Sequence, residues 1–388
     1  MQQHTVIVVG AGPAGLATAA RLHRTGMRPV VLERADAVGA SWRGRYDRLR
    51  LNSPRWYSTL PGGAWRPGTP VFPSRDDVVD HLETYAADEG IDVRFGVGVT
   101  AIDRDGEAWL VATSAGDLRA TDVVVATGRS NLPHVPAWPG RDRFAGLLLH
   151  AAEYRSPGAY RGRDVLVVGA GSTGAEIAHD LVDGGAARVR LAVRTPPNIM
   201  LRAPVGAPLA AALARLPTPI SDGVARFVRR RTVGDLAEYG LPTPAEGVFS
   251  RLRRLHVAPM IVDAEVLDAI RTGRIEIVAG VQALDDTGVL LAGGERITPD
   301  TVIAATGYRT GLEPLVGHLG VLDDHGSPRV TGGEAAPGLR FVGFVPRPAL
   351  LHALGREAQR AARGIARTRP AERPIRVDDR AWMGDFAS

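Results

Sequence analysis

Two glycine-rich turns are the clearest chemical feature of this sequence. Each follows an apolar, β-branched run and precedes a helical pattern, with glycines spaced as Gly-x-Gly-x-x-Gly. The glycines of the two turns are Gly10, Gly12, Gly15, Gly169, Gly171 and Gly174. In such a turn the first glycine makes the bend, the second lets the backbone approach a pyrophosphate, and the third packs helix on strand. The sequence therefore predicts two dinucleotides that exchange electrons.

The strand after each turn ends in a residue of opposite charge. Glu33 follows the first turn, where a carboxylate accepts hydrogen bonds from an adenosine ribose and repels a ribose phosphate. Arg194 follows the second turn, and guanidinium groups grip phosphate. Ser172 and Thr173 add hydroxyl donors there. We predict FAD or NAD at the first turn and NADPH at the second; the alternatives are a surface acid and an ordinary exposed arginine.

Asn52 is a third candidate, because it lies in an irregular stretch from 39 to 74. A loop this long inside a compact domain is usually functional. The Asn52 amide could hold a flavin adduct or the nicotinamide, or it could be a turn residue ahead of Ser53 and Pro54. His81, on a predicted helix over 75–85, is interpreted as a helix-surface residue rather than a catalyst.

Composition excludes several kinds of chemistry. The 388 residues suffice for two domains. They include no cysteine, which excludes disulfides, thiolate metal sites and a dithiol relay, and no lysine, which excludes Schiff bases. No metal is predicted.

The sequence also bears on partners and location. The net charge is +5, and the basic stretch 226–231 is interpreted as a solvated helix face rather than a nucleic-acid or membrane patch. No apolar run approaches the ~18 residues of a membrane span, and no signal peptide precedes the first strand. We predict a cytoplasmic protein without nucleic-acid or membrane partners and leave homo-oligomerisation open.

Strand and helix patterns alternate along the chain, which is typical of α/β proteins. We predict two Rossmann-like dinucleotide-binding domains, the FAD domain being discontinuous and the NADPH domain inserted into it. Short strands near 93–95, 97–102 and 109–111 predict a small antiparallel insert. The predicted ranges are 1–155 and 298–368 for the FAD domain, 156–297 for the NADPH domain with a helical excursion at 196–260, and 369–388 for a tail.

Two predicted strands end in Ala-Thr-Gly, at 126–128 and 305–307. A glycine at the end of a buried strand lets the chain pass close to a cofactor. Pro348 opens a predicted helix over 349–367. The helix N-terminus would face the flavin pyrimidine and stabilise its reduced anion; the alternative is a plain C-terminal helix.

Phe144, Gly146, His150 and Tyr154 form the pattern Phe-x-Gly-x-x-x-His followed after three residues by an aromatic, between the two turns. Here the sequence resembles the class B flavin monooxygenases, which carry this fingerprint between their FAD and NADPH turns. His150 is interpreted as positioning the joint between the domains. Further similarity to the YUCCA-type and related bacterial members lies in Trp42–Leu51, the turn 241–247, Pro259, Asp263 and the step 270–275.

The resemblance implies that NADPH reduces FAD and that reduced FAD adds O2 as a flavin (hydro)peroxide. One oxygen atom then passes to a small organic substrate, by N- or S-oxygenation or by oxidative decarboxylation of an α-keto acid. Asn52 matches the active-site asparagine of N- and S-oxygenating members. The predicted cofactor-binding residues are Gly10, Gly12, Pro13, Ala14, Gly15, Glu33, Arg34, Ser41, Trp42, Leu49, Asn52, Val99, Ala126, Thr127, Gly128, Gly169, Gly171, Ser172, Thr173, Gly174, Glu176, Arg194, Ala305, Thr306, Gly307, Tyr308, Gly343 and Phe344.

Three other functions fit the sequence less well. A Baeyer–Villiger oxygenase usually carries tryptophan at the position of Tyr154, and the run from Tyr46 to Leu49 breaks its pattern. A flavoprotein reductase that serves a partner protein would not need the fingerprint at 144–154. A degenerate nucleotide sensor is disfavoured because every glycine of both turns is present.

Overall fold

A computed structural model describes residues 2–255, 258–345 and 350–368. The predicted start of the last helix at Pro348 and the tail 369–388 lie outside these residues. Within them the strands, in chain order, are β1 (Gln2–Val9), β2 (Val30–Leu32), β3 (Val93–Arg94), β4 (Val99–Asp105), β5 (Ala108–Thr113), β6 (Leu118–Val125), β7 (Leu132–Pro133), β8 (Leu147–His150), β9 (Asp164–Val168), β10 (Arg188–Val193), β11 (Ile199–Leu201), β12 (Met260–Val262), β13 (Glu276–Ala279), β14 (Val281–Asp285), β15 (Gly288–Leu291), β16 (Arg296–Ile297), β17 (Thr301–Ala304), β18 (Tyr308–Arg309), β19 (Glu334–Ala336) and β20 (Leu339–Phe341).

The α-helices of the described residues are α1 (Pro13–His23), α2 (Ala40–Arg43), α3 (Arg75–Asp88), α4 (Ser172–Asp183), α5 (Gly206–Leu213), α6 (Thr218–Thr232), α7 (Val248–Leu255), α8 (Ala264–Arg271), α9 (Glu313–Val316) and α10 (Leu350–Thr368). The predicted excursion contains α5, α6 and α7, and the parallel pair β11–β12 lies at its two ends. Single 3-10 turns occur at Arg55–Tyr57, Arg141–Arg143, Pro157–Tyr160, Ala237–Tyr239 and Gly317–Leu319.

The first sheet has eight strands and the order β19-β20-β6-β1-β2-β3. The pairs β20–β6, β6–β1, β1–β2 and β2–β3 are parallel, whereas β4 and β5 attach to β6 as an antiparallel insert. Because the strands of a parallel sheet are covered on both faces, they read as continuous apolar runs. The segment Val6–Val9 is fully buried, and α1 and α10 pack together on one face of this sheet.

The second sheet is entirely parallel, with the order β13-β10-β9-β17-β8. The sequence predicts β8 and β17 as parts of the FAD domain, whereas both are strands of the second sheet. Thr301–Ala304 is buried along its whole length, so β17 occupies an interior position between β9 and β8. The predicted boundaries at 155 and 298 therefore do not coincide with the limits of this sheet.

Two smaller expectations also differ. β3 pairs in parallel with β2 instead of joining the antiparallel insert. His81 is buried rather than on the helix surface, because its imidazole stacks under Trp65 at a ring distance of 4.2 Å and its Nδ1 lies 3.1 Å from the carbonyl of Ala64. Burial lowers the pKa of His81.

Candidate active site

The first glycine turn is built to admit a ligand. Gly10 has φ +105°, and a Cβ there would lie 2.9 Å from the carbonyl oxygen of Ala126. A Cβ on Gly15 would lie 1.8 Å from the carbonyl oxygen of Gly10, so this glycine is required by helix packing. A Cβ on Gly12, by contrast, would meet no atom within 4 Å. The open space at Gly12, at the start of α1, fits a pyrophosphate.

The second turn repeats this geometry. A Cβ on Gly169, where φ is +123°, would lie 2.4 Å from the carbonyl oxygen of Ala305. One on Gly174 would lie 2.0 Å from the carbonyl oxygen of Gly169, and one on Gly171 would meet nothing within 4 Å. Two separate turns thus offer the same cradle at the start of a helix, as two dinucleotides require.

The structure places Glu33 and Arg194 in different surroundings. Both Glu33 carboxylate oxygens accept backbone hydrogen bonds, from Ala11 at 2.8 Å and from Ala35 at 3.0 Å. Each oxygen keeps a lone pair for a ribose hydroxyl. Arg194 is exposed just after β10, and its Cα would lie 3.0 Å from a Cβ on Gly280. Glu33 is therefore fixed beside the first turn, while Arg194 forms no ion pair with any residue that the structure describes.

The two Ala-Thr-Gly segments lie against the two turns. Ala126 follows β6 and contacts Gly10, whereas Ala305 follows β17 and contacts Gly169. The second segment therefore faces the second turn instead of the first, which follows from the placement of β17. The hydroxyl of Thr127 is buried without a hydrogen-bond partner among the described residues. An orphaned hydroxyl beside an open glycine cradle fits a bound cofactor.

Other predicted residues are spread around the first turn. Gly343 lies over Ala14, with a Cβ-to-Cβ distance of 2.8 Å if it carried a side chain, and Phe344 is buried nearby. Arg34 is exposed and bonded to Asn131 at 2.9 Å. Pro13 opens α1, and Ser41 is exposed on α2. Val99 opens β4 and packs on the core of the first sheet. Gly128, the last residue of the first Ala-Thr-Gly segment, has φ +81°.

The loop between α2 and α3 joins the two halves of the molecule. Trp42 packs on the core beneath α1, whereas Tyr46 and Leu49 belong to the core around the second sheet. Leu51 packs again in the first core, so the loop contacts both cores within ten residues, and Asn52 follows directly after Leu51.

Asn52 is held by a buried arginine that the sequence analysis missed. Arg202, whose side chain is 3% exposed, donates from Nε to Asn52 Oδ1 at 3.2 Å and from Nη1 to Asp263 at 2.7 Å. Its Nη2 donates to Glu176. Because arginine can only donate, the amide oxygen of Asn52 must face Arg202, and the amide NH2 is turned away from it as a donor.

Arg202 and its three partners, Asn52, Glu176 and Asp263, form one polar cluster. Glu176 connects this cluster to the second glycine turn, because it lies near the start of α4. It accepts from Arg202 and from the hydroxyl of Tyr46. Burial raises the pKa of Glu176, and Arg202 and Tyr46 partly offset that rise. Burial and the neighbouring carboxylate together raise the pKa of Tyr46 well above its usual range, so the phenol remains a donor. Thr173 contacts the same phenol.

The excursion is tied to this cluster as well. Asp263 comes directly before α8, and the hydroxyl of Ser172 accepts a hydrogen bond of 2.9 Å from the backbone of Ile261 in β12. One set of polar contacts therefore links the loop between α2 and α3, the second glycine turn and the end of the excursion. The family resemblance includes Asp263 and Tyr46 but not Arg202, which follows β11 in a stretch without a clear helix or strand pattern.

His150 is the last residue of β8, the edge strand of the second sheet. Its Nε2 lies 2.9 Å from the carbonyl of Gly307, and its Nδ1 lies 3.0 Å from the backbone nitrogen of Ala152. A carbonyl only accepts and an N–H only donates, so the imidazole is neutral with the proton on Nε2. Burial lowers the pKa of His150, which agrees with that form. His150 thus positions the chain, and no proton transfer needs to be assigned to it.

The other fingerprint residues have packing roles. A Cβ on Gly146 would lie 2.7 Å from the Phe144 ring, so the ring requires a glycine there. Tyr154 is fully buried and donates to Asp180 of α4 at 2.7 Å.

Two residues of the segment after β17 also make polar contacts. Tyr308 lies edge-on to His150 at a ring distance of 4.9 Å, and its hydroxyl accepts a hydrogen bond from Arg45. The hydroxyl of Thr306 donates to the carbonyl of His134.

The sequence is similar to known oxygenases over most of its length. Residues 7–204 match the family described as pyridine nucleotide-disulphide oxidoreductase. The chain is 36% identical over 353 residues to an indole-3-pyruvate monooxygenase, YUCCA1, of Oryza sativa subsp. japonica, which covers 88% of this chain and 86% of the relative. It is 33% identical to a probable indole-3-pyruvate monooxygenase, YUCCA3, of Arabidopsis thaliana, over 87% and 81% of the two chains. This chain belongs to the YUCCA-type flavin monooxygenases.

Solved structures agree with this fold. The flavin-containing monooxygenase of Stenotrophomonas maltophilia is 24% identical, with a TM-score of 0.74 over 95% of this chain and 99% of that one. A steroid monooxygenase solved with bound NADP is 20% identical, with a TM-score of 0.71 over 95% and 85%. A YUCCA-type flavin monooxygenase uses FAD and NADP(H), and the paired cradles fit both. None of the described helices is long and apolar enough to cross a bilayer.

Proposed function

We propose that this flavin monooxygenase decarboxylates an α-keto acid of the aryl-pyruvate type. The supporting observation is the similarity to indole-3-pyruvate monooxygenases, which runs through the loop and the excursion as well as through both glycine turns. The balanced reaction takes the keto acid, O2, NADPH and a proton to the shortened carboxylic acid, CO2, NADP+ and water. One oxygen atom of O2 enters the new carboxylate.

The proposed roles of the protein residues are binding and positioning. When bound, FAD accepts hydride from NADPH and supplies the oxygen chemistry. Gly12 and Gly171 would admit the two pyrophosphates, Glu33 would accept from the adenosine ribose of FAD, and Arg194 would grip the ribose phosphate of NADPH. Asn52, with its NH2 group directed away from Arg202, would donate to an acceptor on the ligand side. The remaining predicted cofactor residues stay part of this proposal, and so do the domain ranges except for β8 and β17, which lie in the second sheet.

We also propose a cytoplasmic location, because NADPH is supplied there. No nucleic-acid partner enters the proposed reaction, and homo-oligomerisation stays open. The partners that the reaction requires are O2 and a small organic molecule.

Coupled turnover tests the proposed substrate class. The purified protein would be supplied with NADPH, 18O2 and either indole-3-pyruvate or phenylpyruvate, and NADPH, O2 and CO2 would be followed together. We expect the three to change in equal amounts, with one 18O atom in the acid product. If neither keto acid accelerated the oxidation of NADPH, the proposal would be wrong.

Asn52 favours a second candidate, N- or S-oxygenation, because the sequence matches the active-site asparagine of N- and S-oxygenating members. In the same assay a tertiary amine or a thioether would replace the keto acid. If the amine or thioether accelerated NADPH consumption and became an N-oxide or sulfoxide, while the keto acids did not react, the second candidate would replace the first.

A further inference from the structure

Helix α6 carries an apolar stripe on its outer side. Leu216, just before the helix, and Ile220, Val224 and Phe227 within it are 42%, 53%, 36% and 59% exposed. Their spacing of four, four and three residues places them along one face. These four side chains therefore form one continuous apolar stripe that faces solvent.

The opposite face of the helix fixes this orientation. Ser221, Asp222 and Arg229 are buried beneath α6. Asp222 accepts backbone hydrogen bonds from Phe249 at 2.7 Å and from Ser250 at 3.3 Å, at the start of α7. Turning the stripe inward would break these contacts and the hydrogen bonds that Arg229 Nη1 donates to Gly234 and Thr243.

The exposed charges of α6 are all positive. Arg226, Arg230 and Arg231 are exposed, whereas the helix's acidic residue, Asp222, is buried. The guanidinium of Arg231 lies over the Phe227 ring, 5.0 Å from its centre. An apolar strip bordered by arginines without an exposed acid is the composition of a helix that lies in a membrane interface.

We propose that the outer face of α6 docks on a lipid surface that contains anionic headgroups. The apolar strip would enter the boundary between headgroups and acyl chains, and the arginines would meet the lipid phosphates. This differs from the interpretation of 226–231 as a solvated face, because the sequence did not show that the apolar side of the helix also points outward. The proposal does not depend on the oxygenase reaction.

Charge and apolarity together favour lipid over other occupants. A second copy of this chain packed face to face would set its arginines against those of the first, and like charges oppose such an interface. A nucleic acid would satisfy the arginines but leave Ile220 and Phe227 in water. An anionic bilayer satisfies both groups at once.

Flotation of the FAD-loaded full chain with vesicles tests this proposal. Vesicles of phosphatidylcholine alone would be compared with vesicles that also contain phosphatidylglycerol, at low and high salt. We expect binding to the anionic vesicles only, weakened by salt. Replacing Arg226 and Arg230 by glutamine should weaken binding about fivefold per arginine, and I220S/F227S should weaken it at least tenfold. Exposed residues outside the excursion give the controls, V330S for the apolar-to-serine substitutions and R329Q for R226Q, and these should bind as the unchanged chain does.

Three results would overturn the proposal. The unchanged chain could fail to float with anionic vesicles. The I220S/F227S variant could bind fully, which would mean that charge alone holds the surface, as for a nucleic acid. The same variant could also change the oligomeric state in gel filtration, which would assign the stripe to a second copy. Retained flavin colour would show that each variant is folded.

Discussion

At the residue scale, Glu33 and Arg194 lie at equivalent ends of their strands but have opposite charges. This difference is the basis for expecting FAD at the first glycine turn and NADPH at the second. Glu33 was predictable because it follows its turn at a set distance, and in the structure its carboxylate accepts a hydrogen bond from the backbone of Ala11 in that turn. Arg202 was not predictable from the sequence. Its partners Asn52, Glu176 and Asp263 come from three distant segments, and no local pattern records a meeting that only the tertiary fold creates.

Replacing Arg194 with glutamine should reduce the preference for NADPH over NADH. The loss of a charge-assisted contact with the ribose phosphate, about 1.5–3 kcal/mol, corresponds to a rise of about tenfold to a hundredfold in the KM for NADPH. The KM for NADH should stay unchanged. Arg188, at the other end of β10 and paired with Glu276 at 2.7 Å, gives the control R188Q. If R194Q raised the KM for NADPH and the KM for NADH equally, the assignment of Arg194 to the ribose phosphate would be wrong.

Replacing Arg202 with methionine should destabilise the protein by about 3 kcal/mol, because it leaves the buried Glu176 carboxylate without its counter-charge. Denaturant unfolding measures this loss. The double variant R202M/E176Q should recover more than half of the lost stability, since it removes the uncompensated charge. If the double variant were as unstable as the single one, packing rather than charge would explain the role of Arg202.

At the scale of elements, the sequence predicted both strand–turn–helix units because each is a local pattern of apolar residues and glycines. It misplaced β17, since two similar Ala-Thr-Gly strands do not reveal which sheet each one joins. A buried strand is apolar in either sheet, and only the pairing with β9 and β8 decides its place. The antiparallel insert was predicted correctly for β4 and β5, which are joined by a short hairpin, and wrongly for β3.

Alanine substitutions should separate ligand space from packing within the first turn. G12A should leave the stability of the FAD-free protein unchanged but lower the content of bound FAD at least tenfold, because its Cβ enters the open cradle. G15A should lower the melting temperature itself, since its Cβ would collide with the carbonyl of Gly10. Flavin absorbance and thermal unfolding measure the two effects. Normal flavin content in G12A would contradict the placement of the pyrophosphate.

At the scale of the whole molecule, stability should fall as the pH drops from 7 toward 5. Burial lowers the pKa of six histidines: His4, His81, His134, His150, His179 and His352. The unfolded chain takes up protons near pH 6.5 while the folded chain resists them, so stability is present above that pH and is lost below it. The raised pKa of Glu176 acts in the opposite direction, but it is one group against six.

The variant H150Q should show a shallower loss of stability over this range, because one of the resisting imidazoles is gone. Melting temperatures at pH 7, 6 and 5 for both proteins measure the difference. A steeper loss in H150Q than in the unchanged protein would contradict a neutral His150.

The two cradles belong to one molecule, and the loop between α2 and α3 packs on both of its cores. The central claim is that FAD at the first cradle receives hydride from NADPH at the second. Anaerobic mixing of the purified yellow protein with NADPH or NADH, followed by the visible absorption of oxidised flavin, tests it without any substrate. We expect NADPH to bleach the flavin at least tenfold faster than NADH at equal low concentration; a protein that binds no flavin, or a flavin that NADPH leaves oxidised, would contradict the claim.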